Sequence, residues 1–233
     1  MLEIDYFLGM SKRVSHSLLD PYCAPLVPRL YAALPIPRRF PPEGIVGIGH
    51  LLAALGAFGF AMSVDHVWGG LLIVLGVAGN HIADMVDGTH ARSTDQCRNG
   101  GELLDHFTDP LSFSYWMIGW GVSIDNLAYS LVGVLFIYAT AVLTNIKAKL
   151  VGEFTLARIG PTEFKALLCL YGLTMSTIAF AGGPSREVAW WCFSAILLTG
   201  VVQLVVNLVL AVREVNRDGG EPDTSPWEMG GKG

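Results

Sequence analysis

The chain has 233 residues, of which 52% are hydrophobic and only 15% charged, with a mean hydropathy of +0.48. A soluble domain carries about a quarter charged residues, so this composition excludes an ordinary water-soluble fold and points to an integral membrane protein. The net charge of −5 decides little, because in a membrane protein the position of charge matters more than its sum; no nucleic-acid partner is expected.

Residues 1–43 interleave Ile4, Phe7, Leu8, Val14, Leu18 and Leu19 with Lys12, Arg13 and His16. That pattern suggests an amphipathic helix lying in the membrane interface. No signal peptide is visible, since the first apolar stretch is short, interrupted and followed by Lys12-Arg13. Prolines at 21, 25, 28, 35, 37, 41 and 42 then break the chain. Apolar windows long enough to span about 30 Å of hydrocarbon fall at 44–63, 68–89, 107–123, 127–149, 164–182 and 187–212. The expectation is an all-α integral membrane protein with six transmembrane helices, and no internal repeat is detected. Its parts are a juxtamembrane segment (1–43), a six-helix catalytic domain (44–213) and a cytosolic tail (214–233). From Asp218 that tail is rich in Gly, Pro and acids and is expected to be disordered. Cys23, Cys97, Cys169 and Cys192 lack CxxC spacing and read as packing residues or incidental thiols.

With six spans, fourteen of the fifteen Lys and Arg residues fall on one side and only Arg186 on the other. The positive-inside rule assigns the richer side to the cytoplasm.

One stretch on that side carries chemistry: Asp84-Met-Val-Asp87-Gly88-Thr-His-Ala91-Arg92, then eight residues, then Gly101-Glu-Leu-Leu-Asp105-His-Phe-Thr-Asp109. Residues three or four apart share a helix face, so Asp84 and Asp87 can point into one space, as can Asp105 and Asp109. An isolated pair of this kind is ordinarily a solvated helix end. Beside long apolar segments unpaired carboxylates are costly, and they become functional candidates. Carboxylates so gathered suit hard divalent cations such as Mg²⁺ or Mn²⁺. Gly88, Ala91 and Gly101 leave room beside them.

The spacing D-x2-D-G-x2-A-R-x8-G-x3-D-x3-D resembles the signature of the CDP-alcohol phosphotransferase family at all eight fixed positions. The resemblance implies a membrane enzyme of phospholipid biosynthesis. It would transfer a substituted phosphate from a CDP-alcohol to an acceptor hydroxyl, releasing CMP. It further implies two Mg²⁺ or Mn²⁺ ions, a homodimer, and an interfacial helix before the first span. By the same resemblance Asp84, Asp87 and Asp105 are metal and pyrophosphate ligands. Asp109 is the general base and also touches the second metal. Gly88, Ala91 and Gly101 make space for the cytidine and its phosphates, and Arg92 stabilises the site or contacts phosphate. One departure stands out: Glu43, in Pro41-Pro42-Glu43-Gly44, replaces an Asn found in many relatives, which puts a nucleotide contact from that position in doubt.

Among other polar residues, His81, His90 and His106 occupy variable motif positions and read as structural. His50 reads as a buried, hydrogen-bonded histidine. Asn80 can touch either nucleotide or a neighbouring helix. Lys147-Ala-Lys149, with Arg158 and Lys165, forms a cytosolic basic patch resembling that of relatives that accept phosphorylated polyols; Lys147, Lys149 and Arg158 are the candidate acceptor contacts. Plain positive-inside charge and lipid headgroup contact explain the same residues. Gly160-Pro161-Thr162-Glu163 instead resembles a stretch in the CDP-choline/ethanolamine:diacylglycerol phosphotransferases. Chain length favours CDP-diacylglycerol as donor, in a bacterial-type inner membrane. A metal or solute transporter is the competing class. Against it, the acids collect at one membrane face and no inverted repeat is present.

Overall fold

The apolar windows become long helices in the computed structural model, which describes residues 12–15, 17–156, 160–220 and 224. Two four-residue strands, β1 (Lys12–Ser15) and β2 (Glu153–Leu156), and two short helices, α1 (Asp20–Cys23) and α2 (Val27–Ala33), accompany six long ones. These are α3 (Pro42–Met62), α4 (Val67–Ser93), α5 (Asn99–Ser123), α6 (Leu127–Val151), α7 (Pro161–Phe180) and α8 (Ser185–Asp218). Proline at the first position of α3 and α7 is well placed, since the N–H it lacks has no helical partner there.

Helices α3, α4, α6, α7 and α8 are long and apolar enough to cross a membrane, which makes this a multi-pass membrane protein. The 25-residue α5 is the exception in composition. It is long enough, at about 37 Å, but carries Ser112, Ser114, Trp116 and Trp120, all buried. It packs one face against α3, α6 and α8, while Leu103, Phe107, Ile118 and Val122 stay exposed, and the expected sixth span is not among the helices apolar enough to cross a membrane.

The core is aromatic. The Trp120 ring centroid lies 4.0 Å from that of Tyr171, 4.9 Å from Phe193 and 5.2 Å from Phe60. Both buried indoles are satisfied: Trp116 Nε1 donates to the Ala53 carbonyl at 3.0 Å and Trp120 Nε1 to that of Ala189 at 3.1 Å. The backbones approach closely where side chains are absent. A Cβ on Gly76 would lie 2.3 Å from the Gly56 nitrogen, and one on Gly70 would lie 2.1 Å from the Gly172 oxygen. In lipid, where apolar surface gains little by turning inward, such small-residue contacts hold helices together. Leu131, Leu135 and Val142 on α6 and Leu198, Val202 and Val205 on α8 remain exposed, as lipid-facing residues should.

The N-terminal segment differs from the expectation. Residues 1–11 and His16 lie outside the described residues, and Lys12–Ser15 is a strand, paired in parallel with β2 from Lys12↔Glu153 to Ser15↔Leu156. No helix covers residues 12–15 or 17–19. The physical reason is a set of partners that local periodicity does not reveal. The connection between α6 and α7 offers a strand edge, and Glu163 Oε1 accepts from Ser17 Oγ (2.6 Å), Leu18 N (2.7 Å) and Leu19 N (3.0 Å). At the other boundary α8 continues through Asp218, five residues into the expected tail. Most of the tail beyond it (221–223 and 225–233) lies outside the described residues.

Candidate active site

Asp84 and Asp87 sit in the later turns of α4, and Asp105 and Asp109 in the early turns of α5. Between them the chain turns through Asp95, whose φ of 58° is left-handed and tolerable for Asp. All four acids line one cleft, together with Asn80 and His50. One carboxylate oxygen each from Asp84, Asp105 and Asp109 lies within 4.8 Å of the others. Asp87 stands apart from this trio; it is buried and accepts the Gly88 N–H. Asn80 donates through Nδ2 to the Gly49 carbonyl at 3.2 Å, while its Oδ1 is buried without a hydrogen-bond partner. Three converging carboxylate oxygens and an orphaned amide oxygen form a hard-oxygen donor set that fits Mg²⁺ or Mn²⁺.

The smaller motif residues behave differently from one another. A Cβ on Gly101 would meet only Glu43 Oε1, at 4.0 Å, so the space above it is open; one on Gly88 would approach Arg92 Nη1 at 3.2 Å. Ala91 is half-buried. Arg92 is exposed, with Nη2 3.4 Å from Thr89 Oγ1. Glu43 pairs with Arg98 at 2.9 Å, pinning the turn between α4 and α5 to the start of α3.

The histidines are mostly structural. His90 Nδ1 shares a hydrogen bond with Tyr31 Oη at 2.9 Å, and its Nε2 donates to the Phe40 carbonyl at 2.8 Å. His50 bridges Ser112 Oγ and Tyr115 Oη at 3.3 and 3.1 Å. His81 Nδ1 is 3.8 Å from Asp84 Oδ2.

Lys165 is where the sequence reading needs correction. Assigned to a cytosolic basic patch, it is instead 2% exposed, with Nζ 2.9 Å from Asp84 Oδ2 and 3.7 Å from Asp109 Oδ1. The Phe113 ring centroid lies 5.6 Å from the same Nζ. The available signal was a lysine inside an apolar helix, in a chain whose four motif acids lacked a counter-charge. The rest of the patch also separates. Lys147 pairs with Glu214 at 2.9 Å, Lys149 is exposed, and Arg158 lies outside the described residues.

Next to the cleft, a cavity of about 420 Å³ opens between α5, α6, α7 and α8, with Asp109 in its wall. Phe113, Phe136, Phe164 and Leu210 make it largely apolar, and Asn145 and Asn207 add polar points.

The fold and the cleft together define a polytopic membrane protein with a carboxylate-rich cleft at one end of its bundle. The family profile of the CDP-alcohol phosphatidyltransferases matches residues 45–202, about two thirds of the chain. The chain therefore belongs to the CDP-alcohol phosphatidyltransferase family, transferases of phospholipid synthesis. No curated protein matches it.

Proposed function

We propose that this protein transfers a substituted phosphate from a CDP-alcohol to an acceptor hydroxyl and releases CMP, using Mg²⁺ or Mn²⁺, as two ions, at the aspartate cleft. The observation that carries the reading is the position of Asp109, which lines both the acidic cleft and the neighbouring cavity. Divalent ions bound there supply charge withdrawal from the pyrophosphate and stabilisation of the departing CMP. Asp84, Asp105 and Asp109, whose oxygens converge, would hold them together with Asp87. Gly88, Ala91 and Gly101 leave room for the nucleotide, and Arg92 contacts phosphate. As the acceptor oxygen bonds to the β-phosphorus and the bond to the CMP oxygen breaks, the Asp109 carboxylate takes the acceptor's proton. Positioning and electrostatics do the remainder.

Two substrate pairs satisfy this chemistry. The first is CDP-diacylglycerol as donor with a polar acceptor. The cavity supports the second pair, a CDP-aminoalcohol with diacylglycerol as acceptor, because its wall is largely apolar and its lysine is already paired with Glu214. A phosphorylated polyol would find no unpaired cation there among the described residues. We further infer a homodimer in a bacterial-type inner membrane; the asymmetry of Lys and Arg supports a cleft that faces the cytoplasm.

The test is a substrate panel on purified protein with Mg²⁺. CDP-diacylglycerol, CDP-choline and CDP-ethanolamine are each offered with glycerol phosphate, inositol phosphate, serine or diacylglycerol, and CMP and product lipids are read by mass. CMP release that depends on one pair is expected. No release with any donor would overturn the enzyme reading and favour a transporter.

A further inference from the structure

Lys165 occupies an unusual place for a lysine. Among the described residues it is the only buried Lys or Arg, and its ammonium touches two of the three carboxylates that could hold a metal. Its other close neighbour is the Phe113 ring. Any cation binding the Asp84 and Asp109 oxygens meets a positive charge already in contact with them. A buried ammonium cannot leave those acids for nothing, because an unpaired charge in a dry site is strongly disfavoured. It needs another anion. Of the reaction's components, the pyrophosphate of a CDP-alcohol brings one to this cleft.

We propose that Lys165 is the resident cation of the metal-free cleft. It neutralises Asp84 and Asp109 until the donor arrives, then transfers its contact to the pyrophosphate, so that metal loads together with donor. This rests on the reading of the cleft as a CDP-alcohol site. Lysine suits the role better than arginine: its compact ammonium, with three donors on a flexible four-carbon stem, can be re-aimed, whereas a planar guanidinium fork is committed to one geometry. The consequence is an order of events in which the enzyme without donor holds metal weakly.

The experiment measures Mn²⁺ binding to the full-length protein in detergent by the paramagnetic resonance of free Mn²⁺. It is run alone and with CDP-choline or CDP-diacylglycerol, against protein-free blanks. In the unaltered protein, one of these donors should tighten Mn²⁺ binding by about tenfold or more, well within what one charge contact near a protein surface can supply. Lys165→Met should bind Mn²⁺ about as much tighter without donor, and the further tightening by donor should be smaller than in the unaltered protein. Unchanged or weaker Mn²⁺ binding by Lys165→Met overturns the proposal. Lys165→Gln makes the same prediction if Lys165→Met does not fold. The unaltered protein also decides alone, since equal affinity with and without both donors overturns the proposal. The two readings fail separately. Tightening by Lys165→Met without any CMP release would leave the resident-cation role standing and remove the transferase, while normal CMP release with no tightening would do the reverse.

Discussion

Asp109 faces two spaces, whereas Asp87 faces one and is held by its neighbour's N–H. That difference separates their variants. Asp84→Asn and Asp105→Asn each remove an oxygen from the trio, so both Mn²⁺ binding and CMP release should fall to background; retained metal binding in both would refute the trio as the ion's seat. Asp109→Asn should lower turnover by about 10²–10⁴, the range for a positioned base, while donor binding survives. Parallel loss of donor affinity and turnover would make Asp109 a ligand first. The Lys147–Glu214 pair carries a further test. Lys147→Ala and Glu214→Ala should each harm stability by stranding the other charge, and the double variant should recover much of the loss in a thermal-unfolding cycle. A rise in acceptor KM confined to Lys147→Ala would instead restore a phosphate grip by that lysine. The gathering of Asp84, Asp87, Asp105 and Asp109 into one cleft was legible because helical spacing alone places each pair on a face. The burial of Lys165 was not, because it depends on how α7 crosses α4. In the sequence such a lysine has the same appearance as any basic residue near a membrane surface.

At the level of elements, five of the six expected windows fall on helices long and apolar enough to cross a membrane, and the window at 107–123 does not. The window at 107–123 began eight residues after the true start of α5 at Asn99, because its polar first turns serve the cleft rather than the bilayer. The strand pairing of residues 12–15 was missed for a different reason. Parallel partners 12–15 and 153–156 lie more than half the chain apart, and nothing in the local pattern of either announces the other. Glu163 ties this arrangement together. Besides Ser17, Leu18 and Leu19, it accepts from Gly160 N at 2.8 Å, and Thr162 Oγ1 donates to Asp20 Oδ1 at 2.7 Å. Glu163→Ala would leave several donors without their acceptor, and a cost of about 2 kcal/mol or more follows from that. It should appear as a lower Tm in detergent together with faster proteolysis around residue 20. A Tm equal to that of the unaltered protein would show that the segment is held by the strands alone.

For the whole molecule, the two ends of the bundle differ in kind. One end carries the cleft. At the other, Arg186 pairs with Asp125 and lies 3.7 Å from Asp65, joining the turn after α3 and the turn after α5 to the start of α8. If the cleft faces the cytoplasm, an impermeant thiol reagent added outside intact cells should label an engineered cysteine beside Arg186 and spare the exposed native Cys97; the opposite pattern would invert the orientation. Between the ends lies the aromatic cluster, whose Trp120 stands eleven residues beyond Asp109 on α5, about 16 Å along the axis. Phe60, Trp120, Tyr171 and Phe193 come from four different helices, are all buried and pack into one core cluster, apart from the residues that line the cleft. Buried, stacked rings offer an ion no hydrated path through the bundle, so vesicles crowded with this protein should keep an imposed proton gradient as long as empty ones do, and a faster collapse would reveal a leak past the cluster.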